Sequence, residues 1–226
     1  MQHRISRRFE RFLWTAFFGA MTMAVPAFVQ ADITYDTDTT ISATPAWGEN
    51  VNINPDVTVT MNNNILIGQT TNITVNIDGA LSFTGDKTGN HDANNSLVTA
   101  NDKSITFSGT GTLIKKGTGG LATATGNQVG TNDKSVIFAM GSNGLIDIQA
   151  GILRNGGYGY QDWSTNKGDM NIASGATLDP WDGAAITIDA LTGGGSIKNT
   201  AQNYGKDFTI GVDGSQLASG AAPVFS

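Results

Sequence analysis

The sequence predicts an all-β protein, a right-handed parallel β-helix that follows an N-terminal signal peptide. Apolar residues recur at every second position of the main part, which is the period of a strand. Gly, Thr and Asn dominate there, and a phrase of strand, glycine corner and second strand returns along the chain, as in solenoids. An antiparallel β-sandwich is the alternative, because Asp-Gly and Asn-Gly dipeptides that suit hairpin turns also occur.

Residues 1–31 are predicted to be a secretory signal peptide. Four arginines precede an apolar run that ends at Val29, and Val29 and Ala31 are small side chains suited to cleavage before Asp32. The run contains Thr, Gly and Pro, unlike the unbroken ~20 apolar residues of a membrane anchor. We therefore expect recognition by the secretion machinery, cleavage between Ala31 and Asp32, and no stable membrane insertion of the mature part, residues 32–226.

The mature part is acidic and has no cysteine. Removing four arginines and Glu10 from the 13 basic and 19 acidic residues leaves 9 and 18, a net charge of −9. Nucleic-acid binding requires a basic surface that neutralises phosphates, so we expect no nucleic-acid partner. Without cysteine, the fold depends on apolar burial and backbone hydrogen bonds instead of disulfides.

The recurring phrase defines the predicted coils. It begins at six places: Ile73, Ile105, Leu145, Met170, Ile186 and Phe208. Its alternate apolar side chains are predicted to point into a shared core, and these are Ile73, Val75, Ile77, Ile105, Phe107, Ile146 and Ile148. Glycines are predicted to permit the backbone dihedrals of the corners, at Gly79, Gly109, Gly151 and Gly175.

Three segments do not fit the phrase and are predicted to leave the coil as loops, namely 84–103, 117–134 and 155–169. The third is rich in glycine and aromatic residues. Exposed aromatic rings beside polar loops can stack on sugar rings or anchor a partner. The candidate ligand-binding aromatics are Tyr158, Tyr160, Trp163 and Trp181.

The mature part offers no catalytic or metal-binding motif. Its one histidine, His91, has no nucleophile motif beside it, and zinc would require clustered His or Cys. Asp36, Asp38, Asn94 and Asn95 supply oxygen atoms that calcium accepts, but no calcium-loop motif surrounds them. We therefore predict that the protein is not an enzyme and binds no cofactor or metal.

A carbohydrate-active β-helix, either a polysaccharide hydrolase or a lyase, is the alternative function. Asp179 and Asp182 bracket a Pro-Trp pair, and Asp162 and Asp169 flank the aromatic loop, so paired carboxylates are present. Against this alternative, a lyase needs cationic side chains for the carboxylates of its substrate, and Arg154 is the one arginine of the mature part.

Several phrases resemble the autotransporter-associated β-strand repeat of type V secretion passenger domains. The resemblance is carried by GTGTLIKKGTGGL from Gly109, AGILRNGG from Ala150, SGATLDPW from Ser174 and LTGGGSIKN from Leu191. It implies a β-helical passenger that a Gram-negative bacterium exports to the periplasm, the cell surface or the medium. It also implies a C-terminal translocator barrel.

The expected function is that of an exported structural or adhesive β-solenoid whose loops bind a glycan or a cell-surface partner. The sequence departs from the family at its C-terminus, because Ser226 is not preceded by the alternating amphipathic strands of a translocator barrel. We therefore expect the chain to be a fragment or truncated form of a longer passenger protein.

Overall fold

The computed structural model describes residues 32–43, 47–62, 71–84, 103–122, 134–155, 160–181, 183–200 and 207–213. Within these ranges the chain is all-β, and every strand pair is parallel. The predicted parallel β-solenoid is confirmed, and the antiparallel sandwich is wrong. The right-handed sense of the winding stays a prediction.

In the described ranges the strands follow one another in eight coils. Coils 1 to 3 contain β1 (Ile33–Tyr35), β2 (Thr39–Ile41), β3 (Val51–Ile53), β4 (Thr58–Met61), β5 (Ile73–Ile77) and β6 (Ala80–Phe83). Coils 4 and 5 contain β7 (Ile105–Gly109), β8 (Thr112–Lys115), β9 (Gly120–Ala122), β10 (Lys134–Met140), β11 (Leu145–Ile148) and β12 (Ile152–Arg154). Coils 6 to 8 contain β13 (Tyr160–Asp162), β14 (Asp169–Ile172), β15 (Thr177–Asp179), β16 (Ile186–Ile188), β17 (Leu191–Gly193), β18 (Ser196–Ile197) and β19 (Phe208–Ile210).

Each coil contributes at most one strand to each sheet. Sheet A has the order β1-β3-β5-β7-β10-β13, and sheet B has the order β2-β4-β6-β8-β11-β14-β17. Among the described residues, sheet C starts in coil 4, with the order β9-β12-β15-β18. β16 and β19 pair as a separate two-stranded sheet D, and they are the first strands of coils 7 and 8.

The core is a set of rows in which the same position of successive coils is apolar. Val51, Val75, Phe107 and Phe138 are register partners along sheet A, and each is 0% exposed. All seven side chains predicted to point inward are buried, so this prediction is confirmed. Each such side chain contributes about 1.5–3 kcal/mol on burial, and the neighbouring coils provide the surface that covers it.

Aromatic side chains from sheets A and B pack against one another inside the core. The rings of Phe107 and Phe138 lie 6.0 Å apart between centroids, and Phe138 stacks on Trp163 at 3.9 Å with an interplanar angle of 17°. Phe83 of sheet B meets the Phe107 ring edge-on at 6.3 Å. These contacts join coils 3 to 6 through a continuous aromatic column.

Two of the corner glycines are required for different reasons. Gly109 has a φ of 105°, and a Cβ on it would lie 2.2 Å from the carbonyl oxygen of Ile77 in the preceding coil. Gly79 is not among the positive-φ residues, but a Cβ there would lie 2.2 Å from the carbonyl oxygen of Val57. The predicted backbone role is therefore correct for Gly109, and also for Gly151 and Gly175, whereas Gly79 is needed for close packing of coils.

The recurring phrase does not mark the same place in every coil. Ile105 begins β7 in sheet A and pairs with Val136, whereas Leu145 begins β11 in sheet B and pairs with Thr112. The phrase arises at both corners because each corner joins a short alternating strand to a second strand through a tight turn. Consequently β10, which carries no phrase, is the true sheet A partner of β7.

Two of the predicted excursions contain strands and need correction. β9 lies within 117–134 and pairs with β12, and β13 lies within 155–169 and pairs with β10. Both strands have three residues and lack an alternating apolar pattern long enough to recognise. Most of the predicted 84–103 loop lies outside the described residues, as does the signal peptide up to Ala31.

Replacing Gly109 by Ala should destabilise the solenoid much more than replacing Gly175 by Ala. Both glycines have a positive φ, so each alanine incurs about 1–2 kcal/mol of backbone strain. A Cβ at Gly175 meets nothing within 4 Å, whereas at Gly109 it collides with the backbone of coil 3. Urea unfolding of the two variants measures the difference, and equal midpoints would contradict the close approach of coils 3 and 4.

Candidate binding corner around Trp181

The four candidate aromatics have different places in the fold. Trp181 follows β15 at a corner of sheet C and is partly exposed, whereas Trp163 follows β13 and is buried. The backbone of Tyr160 begins β13. Tyr158 lies outside the described residues. The predicted cluster therefore reduces, in the described part, to Trp181.

Trp163 is a core residue, and its prediction as an exposed ligand-binding aromatic is wrong. Its side chain is 1% exposed and stacks on Phe138 in the aromatic column. Its indole Nε1 donates a hydrogen bond of 3.0 Å to Oδ1 of Asn155, so the one polar atom of the ring has a partner. Burial of a large ring with a satisfied N–H is the usual state of a core tryptophan.

A buried ion pair supports the corner that carries Trp181. Arg154 ends β12, Asp179 ends β15, and the two are register partners in sheet C. Nε of Arg154 lies 3.0 Å from Oδ2 of Asp179, and the side chains are 10% and 0% exposed. A charge at this depth requires a partner, and each member of the pair supplies one to the other.

Asp179 also accepts hydrogen bonds from the residues around it. Thr200 donates its backbone N–H to Oδ1 at 3.0 Å and its hydroxyl to Oδ2 at 2.5 Å. The backbone N–H of Trp181 donates to Oδ1 at 3.1 Å. Charge-assisted hydrogen bonds of this kind are the strong ones in proteins, so Asp179 joins coil 6 to coil 7 through Thr200.

Trp181 is held in an uncommon backbone conformation. Its φ is 46°, in the left-handed region where a bulky residue is a genuine outlier. Its ring lies beside the Arg154 guanidinium, with Cζ 4.4 Å from the ring centroid, which is cation–π geometry. Strain of about 1–3 kcal/mol persists at such positions because surrounding contacts determine the conformation. Trp181 is therefore a fixed, partly exposed ring.

Asn155 fastens the turn that follows Trp181. Its Nδ2 donates to the carbonyl oxygen of Ala184 at 2.9 Å, while its Oδ1 accepts from Trp163. A Cβ on Gly183 would lie 2.0 Å from the carbonyl oxygen of Asn155, so the turn can approach this closely because residue 183 is glycine. The exposed corner is thereby connected to the aromatic column of the core.

Each candidate carboxylate in the described ranges accepts a hydrogen bond from a backbone N–H group. Asp179 is engaged as above, Oδ1 of Asp162 accepts the N–H of Ser164 at 2.9 Å, and Oδ1 of Asp169 accepts that of Ala190 at 3.1 Å. Asp182 and His91 lie outside the described residues. A polysaccharide hydrolase or lyase therefore stays an untested alternative. In such an enzyme, Asp179 would have to act while it is paired with Arg154.

Corner carboxylates and amides form a recurring contact that the sequence pattern did not reveal. Each accepts a backbone N–H from the next coil at 2.8–3.4 Å, and the pairs are Asp38 with Thr58, Asn50 with Thr74, Asn72 with Ser104, Asp78 with Thr110 and Asp189 with Asp213. Asp38, whose oxygen atoms were considered above for calcium and not assigned to it, is thus a link between coils. In the described ranges, no group of three or more His, Cys, Asp or Glu residues could hold a metal ion.

Comparison with protein-family models, curated proteins and solved structures found no significant match to this chain. Across the described part, no helix combines the length and apolar character needed to cross a membrane. The class defined by fold and site is thus a parallel β-solenoid with a fixed aromatic corner.

Replacing Arg154 by Met should lower the free energy of unfolding by about 3–5 kcal/mol, because Asp179 would keep a buried charge without its cation. Lys198→Met is the matched control, since it removes one positive charge from an exposed position of coil 7 and should change stability by less than about 0.5 kcal/mol. Chemical unfolding followed by intrinsic fluorescence measures both. Equal stability of the two variants would show that the ion pair does not support the corner.

Proposed function

We propose that the protein is an exported structural or adhesive β-solenoid that presents corner residues to a glycan or cell-surface partner. The observation that carries the proposal is Trp181, a partly exposed ring held rigidly by Arg154 and by the strained backbone at the end of β15. Rigid aromatic rings lose little conformational entropy on binding and stack on the apolar faces of sugars.

The solenoid itself supports a scaffolding role. The outward positions of sheet A in coils 1 to 4 carry short uncharged side chains, among them Thr34, Asn52, Thr74, Asn76 and Thr106. A surface of this kind suits a rod that displays its corners, because these described positions of sheet A bring no convergent charged groups together. The resemblance to autotransporter passengers points the same way.

Export is tested by expressing the full chain in a Gram-negative host and determining the N-terminus of the product outside the cytoplasm. We expect a mature chain that starts at Asp32, because Val29 and Ala31 fit the cleavage pattern. A product that remains in the cytoplasm with residues 1–31 intact would overturn the exported function.

Binding is tested by applying the exported protein to a glycan array and to whole cells. Trp181→Ala should weaken binding at least about tenfold, since loss of a central aromatic anchor commonly costs more than ~1.4 kcal/mol. Trp181→Phe, which keeps a ring, should retain most of the binding, and thermal melts of both variants exclude unfolding as the cause. Unchanged binding by a folded Trp181→Ala variant would remove this corner from the proposal.

A further inference from the structure

Lys115 occupies a place in the core where the other coils have apolar residues. In sheet B its register partners are Phe83 of coil 3 and Ile148 of coil 5, and the same row continues with Met61 and Ile172. The alternating burial of β8 places Lys115 on the inner face together with Leu113, and Lys115 is 3% exposed. A lysine so placed needs partners for its ammonium group.

Its partners include backbone carbonyl groups of two successive corners. Nζ of Lys115 donates to the carbonyl oxygens of Lys116 and Gly117, the latter at 2.9 Å, and both belong to coil 4. It also donates to the carbonyl oxygen of Ala150 at 3.1 Å, which belongs to the corresponding corner of coil 5. These contacts engage the ammonium group with main-chain acceptors of both coils.

The space around the lysine stem is apolar and nearly filled. A void of about 10 Å³ is lined here by Phe83, Leu113, Leu121, Phe138, Ile146 and Leu153 together with Lys115 itself. A water molecule needs roughly 10–15 Å³, so this void holds one at most. A single water has two donors and could not replace the three N–H groups of the ammonium.

We propose that Lys115 is an internal staple between coils 4 and 5, and that its ammonium becomes accessible only when coil 5 separates from coil 4. The ammonium draws the carbonyls of Gly117 and Ala150 together at the point where sheet C starts. Next to these carbonyls, the backbone N–H of Ile152 donates a hydrogen bond to the carbonyl oxygen of Gly119. Releasing the ammonium from the carbonyls of Gly117 and Ala150 therefore requires that β12 separates from β9.

The first test is lysine acylation of the native protein with an amine-reactive acetate ester, read by tandem mass spectrometry. Lys116 is the internal control, because it is adjacent in sequence and exposed. We expect Lys115 to react at least about 100-fold more slowly than Lys116 in buffer, and equally fast in denaturant. Similar rates for the two lysines in buffer would overturn the proposal.

The second test compares Lys115→Met with Lys116→Met by amide hydrogen exchange. Methionine approximates the lysine stem but donates no hydrogen bond, so the corner carbonyls would lose their donor. Exchange at Gln149 and Ile152, whose N–H groups bond coil 4 carbonyls, should accelerate at least about tenfold in Lys115→Met alone. Exchange unchanged from the parent protein would show that apolar packing, not the ammonium, holds the two coils together.

Discussion

The inner side chains of one coil can be buried only by the coils above and below it, and the rest of the structure follows from this constraint. A strand of three to five residues cannot cover its own apolar face. Stacking in parallel register places Val over Val and Phe over Phe, as at Val51, Val75, Phe107 and Phe138. The same register brings the corners of successive coils within hydrogen-bonding distance, which explains why Asp and Asn at those corners bond the next coil.

The buried charged side chains of Lys115, Arg154 and Asp179 each connect neighbouring coils. Arg154 and Asp179 pair across coils 5 and 6, and Asp179 continues to Thr200 in coil 7. Lys115 reaches from coil 4 to Ala150 of coil 5. Both devices lie beside sheet C, at the side where the described solenoid gains a third sheet. Ionic contacts and the aromatic column therefore concentrate in the same middle coils.

Period-two reasoning predicted the inward residues well, because alternation is a local property of each strand. It could not assign strands to sheets, since the phrase at Ile105 and the phrase at Leu145 look alike although they form different corners. Only the pairing of distant residues distinguishes them. β13 escaped notice for another reason: its sequence, Tyr-Gln-Asp, has no apolar alternation, and its place is determined by β10 and by the burial of Trp163.

The candidate site was predictable in part. Trp181 and Asp179 stood out as an aromatic and a carboxylate, but their roles depend on Arg154, which is 25 residues from Asp179 and therefore one coil away. Trp163 looked equivalent to Trp181 in sequence and is not, because its ring completes the column begun by Phe107 and Phe138. Lys115 gave no signal of burial, since two adjacent lysines before a glycine suggest a solvated turn.

The spacing between register partners varies from coil to coil without disturbing the ladders. Ile33 and Val51 are partners 18 residues apart, whereas Ile73 and Ile105 are partners 32 residues apart. Extra length is thus accommodated between strands and not within them. A chain built this way can gain or lose peptide segments between its strands during evolution while its strand ladders and core rows are inherited intact, so the connecting segments can diverge independently of the architecture.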